Sequence, residues 1–108
     1  MTPEGKVKEL VKRALDALPF YRFMPVQNGM GAPGLDFYGC SAGRFVAIET
    51  KTPGKHLTPR QKSTADQIVD AGGVVFVVRD QADVRDMVML LLTVVPWAKG
   101  FIKDRLCP

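Results

Sequence analysis

The chain has 108 residues, which is enough for one compact domain with its own hydrophobic core and too few for two. Hydrophobic residues make up 46% of it and charged residues 24%, an ordinary globular composition that argues against disorder. The formal net charge of +4 favours a polyanionic partner only weakly, because many unrelated small proteins carry such a charge.

Cysteine, histidine and hydropathy exclude several other classes of protein. Cys40 and Cys107 form no CxxC pair and no signal peptide is visible, so we expect reduced thiols in a cytoplasmic protein. His56 is the only histidine, which leaves zinc sites and histidine-dependent catalytic triads without support. The apolar run 87–95 is too short to span a bilayer and ends at Pro96, so we expect no membrane segment.

The first third of the chain predicts a helix, a short strand and a loop. Thr2-Pro3 is typical of a helix start, with Thr as the cap and Pro at the first helical position. Apolar residues then recur over residues 7–18 with the spacing of an amphipathic helix, which Pro19 ends. Residues 21–26 favour a strand, and the glycine-rich segment 27–34 predicts a loop.

The remainder alternates between strand and helix patterns. Thr58-Pro59 begins a second helix that stops at Gly72-Gly73, and a run rich in β-branched residues after it predicts a buried strand. The predicted segments are strands 35–38 and 44–50 joined by a turn at 39–43, the second helix, strand 74–78 and a third helix over 81–95. The predicted order is α-β-β-β-α-β-α, in a single mixed α/β domain spanning residues 1–108.

Opposite charges stand at the end of the most apolar predicted strand. Glu49 and Lys51 are two residues apart, so their side chains project from the same face of the strand, about 7 Å from each other. Asp36 joins that face if the preceding hairpin has an even-numbered loop, in which case it pairs with Ala47 or Glu49. We therefore expect two carboxylates and one ammonium group at one edge of the sheet.

Two helical residues point toward the same region. Glu4 lies within the apolar stripe of the first helix, whereas Glu9 falls on the opposite face among lysines. A lone acid that faces the core is costly unless another group neutralises it. On the second helix, Gln61 shares its stripe with Ala65 and Ile68, so an amide is also predicted to face inward.

Three gathered carboxylates would repel one another, and Lys51 compensates only one charge. A bound divalent cation is the simplest remedy, and oxygen ligands without His or Cys suit Mg²⁺, for which Mn²⁺ can substitute. The adjacent basic loop is predicted to hold a phosphate backbone through Lys55, His56, Arg60 and Lys62. A metal, a lysine and a phosphate grip together indicate phosphodiester hydrolysis.

The set "GLD…AIETK…TPRQ" resembles the PD-(D/E)XK nuclease signature and, within it, the virus-type replication-repair nuclease (VRR-NUC) domains, whose stand-alone copies are typical of bacteriophages and bacteria. The resemblance covers most of the chain, from Thr2 to Val78, and implies a restriction-endonuclease-like mixed sheet flanked by helices. Leu35 stands where the family usually has the proline of "PD", and Ala65 where some members have a tyrosine. That proline is not a ligand, so its loss does not remove a site residue.

The resemblance also implies roles for the site residues. Asp36, Glu49 and the carbonyl of Thr50 are implied as metal ligands, with Glu4 acting directly or through water. Lys51 is implied to contact the attacking water or the scissile phosphate, and we favour a cationic role over that of a general base. Gln61 is implied to lie beside the site.

Each of these residues also has an ordinary structural interpretation. Glu49 and Lys51 would form a simple ion pair at a solvated strand end, and Glu4 would complement the helix dipole from the first turn. Gln61 would cap its helix or form a hydrogen bond in the core. We prefer the functional interpretation because the acids, the lysine and the glutamine occur as one ordered set.

The predicted function is a Mg²⁺-dependent, structure-selective DNA endonuclease that acts on branched DNA in the cytoplasm, or in the host cytoplasm if the protein is phage-encoded. A Holliday-junction resolvase is one form of this prediction. The alternative is a non-catalytic nucleic-acid-binding module, or an assembly subunit, on the same fold. Residues 87–92 are apolar all round their helix, which favours a homodimer, unless the tail 97–106 covers the second face.

Overall fold

Eight elements follow one another along the part of the chain described by the computed structural model, residues 1–25, 34–93 and 100–106. They are α1 (Pro3–Asp16), β1 (Tyr21–Phe23), β2 (Phe37–Ser41), β3 (Arg44–Thr50), α2 (Pro59–Asp70), β4 (Val74–Val78), α3 (Gln81–Leu91) and β5 (Phe101–Lys103).

The strands form one mixed sheet in the order β1-β2-β3-β4-β5. The first three strands are antiparallel neighbours, whereas β3, β4 and β5 run parallel to one another, with α2 and α3 in the two crossover connections. The β2–β3 hairpin closes through Ala42 and Gly43, whose φ angles of 52° and 77° are those that a tight two-residue hairpin turn requires.

Both helices that approach the candidate site begin with a capped first turn. The Thr2 hydroxyl accepts a hydrogen bond from the Gly5 backbone N–H at 3.0 Å and thereby begins α1. Thr58 and Gln61 form a reciprocal capping box at the start of α2, in which each side chain accepts from the other residue's backbone N–H. Local sequence therefore sets where these two helices start.

Helices cover both faces of the sheet. On one face, α1 and α3 bury the larger core cluster, which includes Val11, Phe37 and Phe76. On the other face, α2 packs over a smaller cluster that contains Ala47 and Val75. Because Glu49 follows Ala47 by two residues, it lies on the α2 face, where it meets the start of that helix.

A buried ion pair ties the end of β4 to the chain after β5. The Arg79 guanidinium and the Asp104 carboxylate are both nearly inaccessible and lie 2.6 Å apart. Arg79 Nε also donates a hydrogen bond to the carbonyl oxygen of Lys55 at 2.9 Å, which holds the loop that follows β3. This loop leads directly into α2.

The mixed α/β fold is confirmed, with one strand more than predicted. The pattern of residues 101–103 is too short to predict β5, which gains its stability by pairing with buried β4. The first strand of the hairpin extends to Ser41, into the predicted turn, because only Ala42 and Gly43 are needed to reverse the chain, whereas β3 has the predicted bounds. The third helix ends at Leu91 instead of 95.

Some expectations concern residues outside the described ranges. These are most of the loop 27–34, the last residue of the strand 21–26, the region 94–99 with Trp97, and Cys107. Within the described ranges, Cys40 is an exposed free thiol. No helix in those ranges is both long and apolar enough to cross a membrane.

Candidate active site

Hairpin register brings Asp36 and Glu49 together. Phe37 pairs with Ile48, so one step further along both strands Asp36 stands opposite Glu49. The two-residue loop is even-numbered, which is the condition under which the sequence predicts this pairing. The Asp36 backbone N–H donates to Glu49 Oε1 at 3.1 Å. The two carboxylates therefore lie at the same sheet edge.

The Asp36 carboxylate is held by the residue that follows Glu49. The backbone N–H and the hydroxyl of fully buried Thr50 both donate to Asp36 Oδ2, at 2.9 and 2.6 Å. The other oxygen, Oδ1, faces the ammonium group of Lys8 at 3.6 Å. These contacts fix the orientation of the carboxylate before any ligand binds.

Gln61 connects the start of α2 to the buried acid. Its Oε1 accepts from the backbone N–H of Thr58 in the capping box, and its Nε2 donates to Glu49 Oε2 at 2.9 Å. The two ordinary interpretations of Gln61, a helix cap and an interior hydrogen bond, are therefore both present, and the second one is made to Glu49 itself. An amide used in this way orients both the helix and the carboxylate.

Lys51 lies on the same side as Glu49, as the spacing predicts. Its Nζ is 3.9 Å from Glu49 Oε2, and only 15% of its side chain is exposed. The backbone N–H of Lys51 donates to the carbonyl oxygen of Val78 at 3.0 Å, which continues the pairing of β3 with β4. The ammonium group is thus held at the rim of the acid cluster by a well-anchored strand end.

Glu4 completes a cluster of three carboxylates. Glu4, Asp36 and Glu49 each offer an oxygen atom, and these atoms lie within 4.8 Å of one another. Glu4 is exposed to solvent, whereas the helix stripe predicts that it faces the core. The first turn of α1 extends past the packed interior, so Glu4 reaches the other acids from the solvent side of the cluster.

Burial strongly disfavours ionisation of Glu49, whose exposed fraction is 3%. Burial, followed by the nearby charge of Asp36, raises the pKa of Glu49 from 4.5 to about 8, against the opposing effect of Lys51. At neutral pH this carboxyl group keeps its proton unless a cation takes the proton's place. The site therefore favours the binding of a cation.

The donor set fits a hard divalent cation. Its three candidate side chains offer oxygen atoms alone, the ligand type preferred by Mg²⁺, Mn²⁺ and Ca²⁺. Glu49 and Asp36 are already oriented by hydrogen bonds, and exposed Glu4 leaves the cluster open to solvent on one side. The arrangement is consistent with a divalent metal that keeps some of its water ligands.

The predicted basic residues lie on and around the start of α2, next to the acid cluster in sequence. Lys55, His56 and Arg60 are exposed, whereas Lys62 is partly buried and forms an ion pair with Asp66 at 2.6 Å. His56 and Lys62 also line a cavity of about 170 Å³ with Leu57, Asp104 and Leu106. Gln61 joins this basic segment to the acids through its bond to Glu49.

Three contributions to the site escape sequence reasoning: those of Lys8, the Thr50 side chain and Arg79. Lys8 is assigned to a solvated helix face by its pattern, although it lies one turn after Glu4 and this spacing was an available indication. The Thr50 hydroxyl and the buried guanidinium of Arg79 have no local sequence signature. Their partners, Asp36 and the Lys55 carbonyl, are distant in sequence.

Comparisons with known proteins support this fold. No protein-family profile matches the chain, and no curated protein matches it in sequence. Among solved structures, a chain described as a VRR_NUC domain superposes with a TM-score of 0.71, covering 82% of this chain and 97% of its own length at 22% sequence identity. At that identity the likeness establishes the fold alone. The resemblance first indicated by the acids, the lysine and the glutamine is therefore confirmed in three dimensions: this chain has the fold of a VRR_NUC domain.

Proposed function

We propose that this protein is a divalent-metal-dependent DNA endonuclease. The observation that carries the proposal is the convergence of three carboxylates within 4.8 Å of one another, with Lys51 beside the most buried of them. The fold shared with a VRR_NUC domain supports the same activity. A protein that only binds nucleic acid gains nothing from acids aimed at a phosphate backbone, since like charges repel.

Asp36, Glu49 and Glu4 would hold the metal, with the Thr50 carbonyl as a further ligand. A divalent cation bound there would lower the pKa of a coordinated water and neutralise charge on the scissile phosphate. Hydrolysis forms a bond between a water oxygen and phosphorus and breaks one phosphorus–oxygen bond to a sugar. The protein's own task is to hold its carboxylates and its cation in fixed positions around that phosphate.

Lys51 acts as a fixed positive charge in this proposal. Its Nζ lies at the rim of the cluster, 3.9 Å from Glu49, where it can contact a phosphate oxygen and stabilise the charge that develops there. Gln61 orients Glu49, and Thr50 orients Asp36. Lys55, His56, Arg60 and Lys62 would contact the neighbouring phosphates of the DNA strand.

Cleavage of a panel of linear, nicked, flapped and four-way DNAs with Mg²⁺ or Mn²⁺ tests the proposal. Asp36→Asn, Glu49→Gln and Lys51→Ala should each lower the cleavage rate by about a hundredfold or more, because each removes a charge that acts on the transition state. Glu9→Gln, on the opposite face of α1, is the matched control. Strong cutting in EDTA, or full activity of any of the three variants, would overturn the mechanism.

The same panel distinguishes the alternative of a binding module or an assembly subunit. A nuclease requires the metal for cutting, whereas a pure binder is indifferent to Mg²⁺ or binds more weakly in its presence. Metal-independent binding together with no cleavage of any DNA would favour the binding module.

We further propose that the protein works in the cytoplasm as a homodimer on branched DNA, with the Holliday junction as one candidate substrate. In α3 and its C-terminal cap, Met87 and Leu91 are buried, whereas Met89 and the capping residue Leu92 are 69% and 55% exposed. This exposed pair is an apolar contact available to a second copy. A dimer would supply the two active sites that two opposed cuts in a junction need. Sedimentation at micromolar concentration tests the proposal, and a monomer that still cuts would redirect it to a nickase or flap nuclease.

A further inference from the structure

Aromatic side chains occupy one face of the three antiparallel strands. Phe23 pairs with Tyr38, and in the neighbouring row Tyr21 and Phe45 flank Cys40. Residues that stand directly opposite each other in a sheet share a face. The Tyr38 ring lies between those of Phe23 and Phe45, with centroid distances of 5.8 Å and 5.6 Å. The aromatic strip is defined as Tyr21, Phe23, Tyr38 and Phe45.

The aromatic strip is continuous with the acid cluster. Tyr38 is opposite Ala47, and two residues further along these strands are Asp36 and Glu49. Side chains two residues apart share a face and are separated by about 7 Å. A DNA strand with a phosphate at the acids therefore has its neighbouring nucleotides within reach of the strip.

Most of the strip is open to solvent. Tyr21, Phe23 and Phe45 are 70%, 52% and 47% exposed. Among the described residues, α2 packs over Ala47 and β4 and not over the β1 side of the sheet. If a ring side chain offers about 200 Å², these three expose about 350 Å² together. Patches of that size on a monomer are often functional.

The size and chemistry of the strip favour nucleotides over a second copy of the chain. A stable protein interface buries about 800 Å² on each partner, more than twice what these rings supply. A copy seated here would also cover the approach to the acids, one row away on the same face. Flat aromatic rings suit unpaired bases, because every base has a π-face that can stack on them.

We propose that the aromatic strip binds unpaired nucleotides next to the scissile phosphate by stacking. The inference rests on the proposed function, in that DNA supplies the ligand. It deepens that function by assigning the preferred substrate class: DNA with a single-stranded segment beside the cleavage point. Stacking is tolerant of sequence, so the strip would select for the absence of pairing and not for particular bases.

Binding of a short single-stranded DNA containing 2-aminopurine, in EDTA at pH 7, tests the proposal without cleavage. Phe23→Leu keeps an apolar side chain but removes the ring, and should raise the Kd about fivefold or more. Phe23→Tyr keeps the ring and should bind like the unmodified protein, with the same quenching of the 2-aminopurine fluorescence. Gln81→Ala, a change at an exposed position at the start of α3 on the other face of the sheet, is the matched control. A blunt duplex of the same sequence should be insensitive to all three changes.

Equal affinity of the unmodified protein and Phe23→Leu for the single-stranded DNA would overturn the proposal. Dissociation of a dimer by Phe23→Leu, with DNA binding unchanged, would overturn it as well, because the strip would then be a dimer interface. Phe45→Leu gives a second, independent test if Phe23→Leu does not fold. Cleavage of a flapped duplex, which carries a single-stranded segment, is measured with Mg²⁺ in parallel. Stacking without any cleavage would refute the proposed nuclease activity and support the binding role of the aromatic strip. Cleavage that is insensitive to Phe23→Leu on every substrate would refute the binding role of the strip alone.

Discussion

Divalent metal binding at neutral pH should release a proton from Glu49. The pKa of this group is raised to about 8 by burial and by the charge of Asp36. About nine tenths of the group is therefore protonated at pH 7, about half at pH 8 and about one tenth at pH 9. A metal ligand must be ionised, so these fractions are the numbers of protons expected per metal bound.

The same coupling makes metal affinity depend on pH. The fraction of the protein in which Glu49 is ionised rises about 50-fold between pH 6 and pH 8. The Kd for Mg²⁺ or Mn²⁺ should therefore fall by about that factor. Isothermal titration in two buffers with different enthalpies of ionisation measures the released protons directly. Glu49→Gln should abolish the release and Glu9→Gln should retain it. If metal binding releases no proton at pH 7 and the metal affinity is equal at pH 6 and pH 8, the raised pKa of Glu49 would be refuted.

The stability of the metal-free protein should decrease as pH rises, whereas its metal affinity should increase. Between pH 4.5 and about 8 the folded chain keeps the Glu49 proton that the unfolded chain has lost, so the free energy of unfolding falls as pH rises. Since each pH unit is worth about 1.4 kcal/mol, the loss is up to about 5 kcal/mol. Urea unfolding at several pH values should show this slope for the unmodified protein and a flatter slope for Glu49→Gln. Identical slopes would contradict the prediction.

Three further predictions concern single residues. Glu4→Gln should slow cleavage about tenfold or more while Glu9→Gln has no effect, because only Glu4 lies with the other acids; equal losses in one assay would mean that α1 is rotated. Thr50→Val should weaken Mn²⁺ binding by about 10- to 100-fold, since the hydroxyl that orients Asp36 is lost; unchanged affinity in a Mn²⁺ titration would argue against this support. Asp104→Ala should lower the free energy of unfolding by about 3–5 kcal/mol in a urea titration because it leaves Arg79 buried and unpaired, and a loss below about 1 kcal/mol would show that the pair contributes little.

Much of the fold was predictable because its signals are local. Thr-Pro caps begin both α1 and α2, and apolar periodicity distinguishes the helices from the β-branched strand β4. The strand β5 was not predictable, since three residues carry too little pattern and their conformation depends on pairing with β4. The same distinction explains the hairpin, in which the turn 42–43 is read correctly only once the register is known.

The candidate site divides in the same way. Glu49 and Lys51 were predictable as a pair because a strand repeats every two residues, and Asp36 followed on the condition of an even loop. The spacing of Lys8 from Glu4 indicates that the two share a face of α1, but its pairing with Asp36 depends on the angle at which α1 crosses the sheet edge, which the helix pattern does not encode. The exposure of Glu4 was missed for the same reason.

By itself, the sequence determined the residue types and their local spacing. It supplies three acids as predicted metal ligands, with no histidine or cysteine among them, a lysine two residues after Glu49, and a capped helix that carries Gln61. Tertiary structure alone decided how deeply each group is buried and what surrounds it. Burial raises the pKa of Glu49, and three of the four side chains of the aromatic strip, those of Tyr21, Phe23 and Phe45, are exposed. Burial depends on the packing of elements distant in sequence, whereas spacing depends only on the covalent chain and its helical or extended repeat.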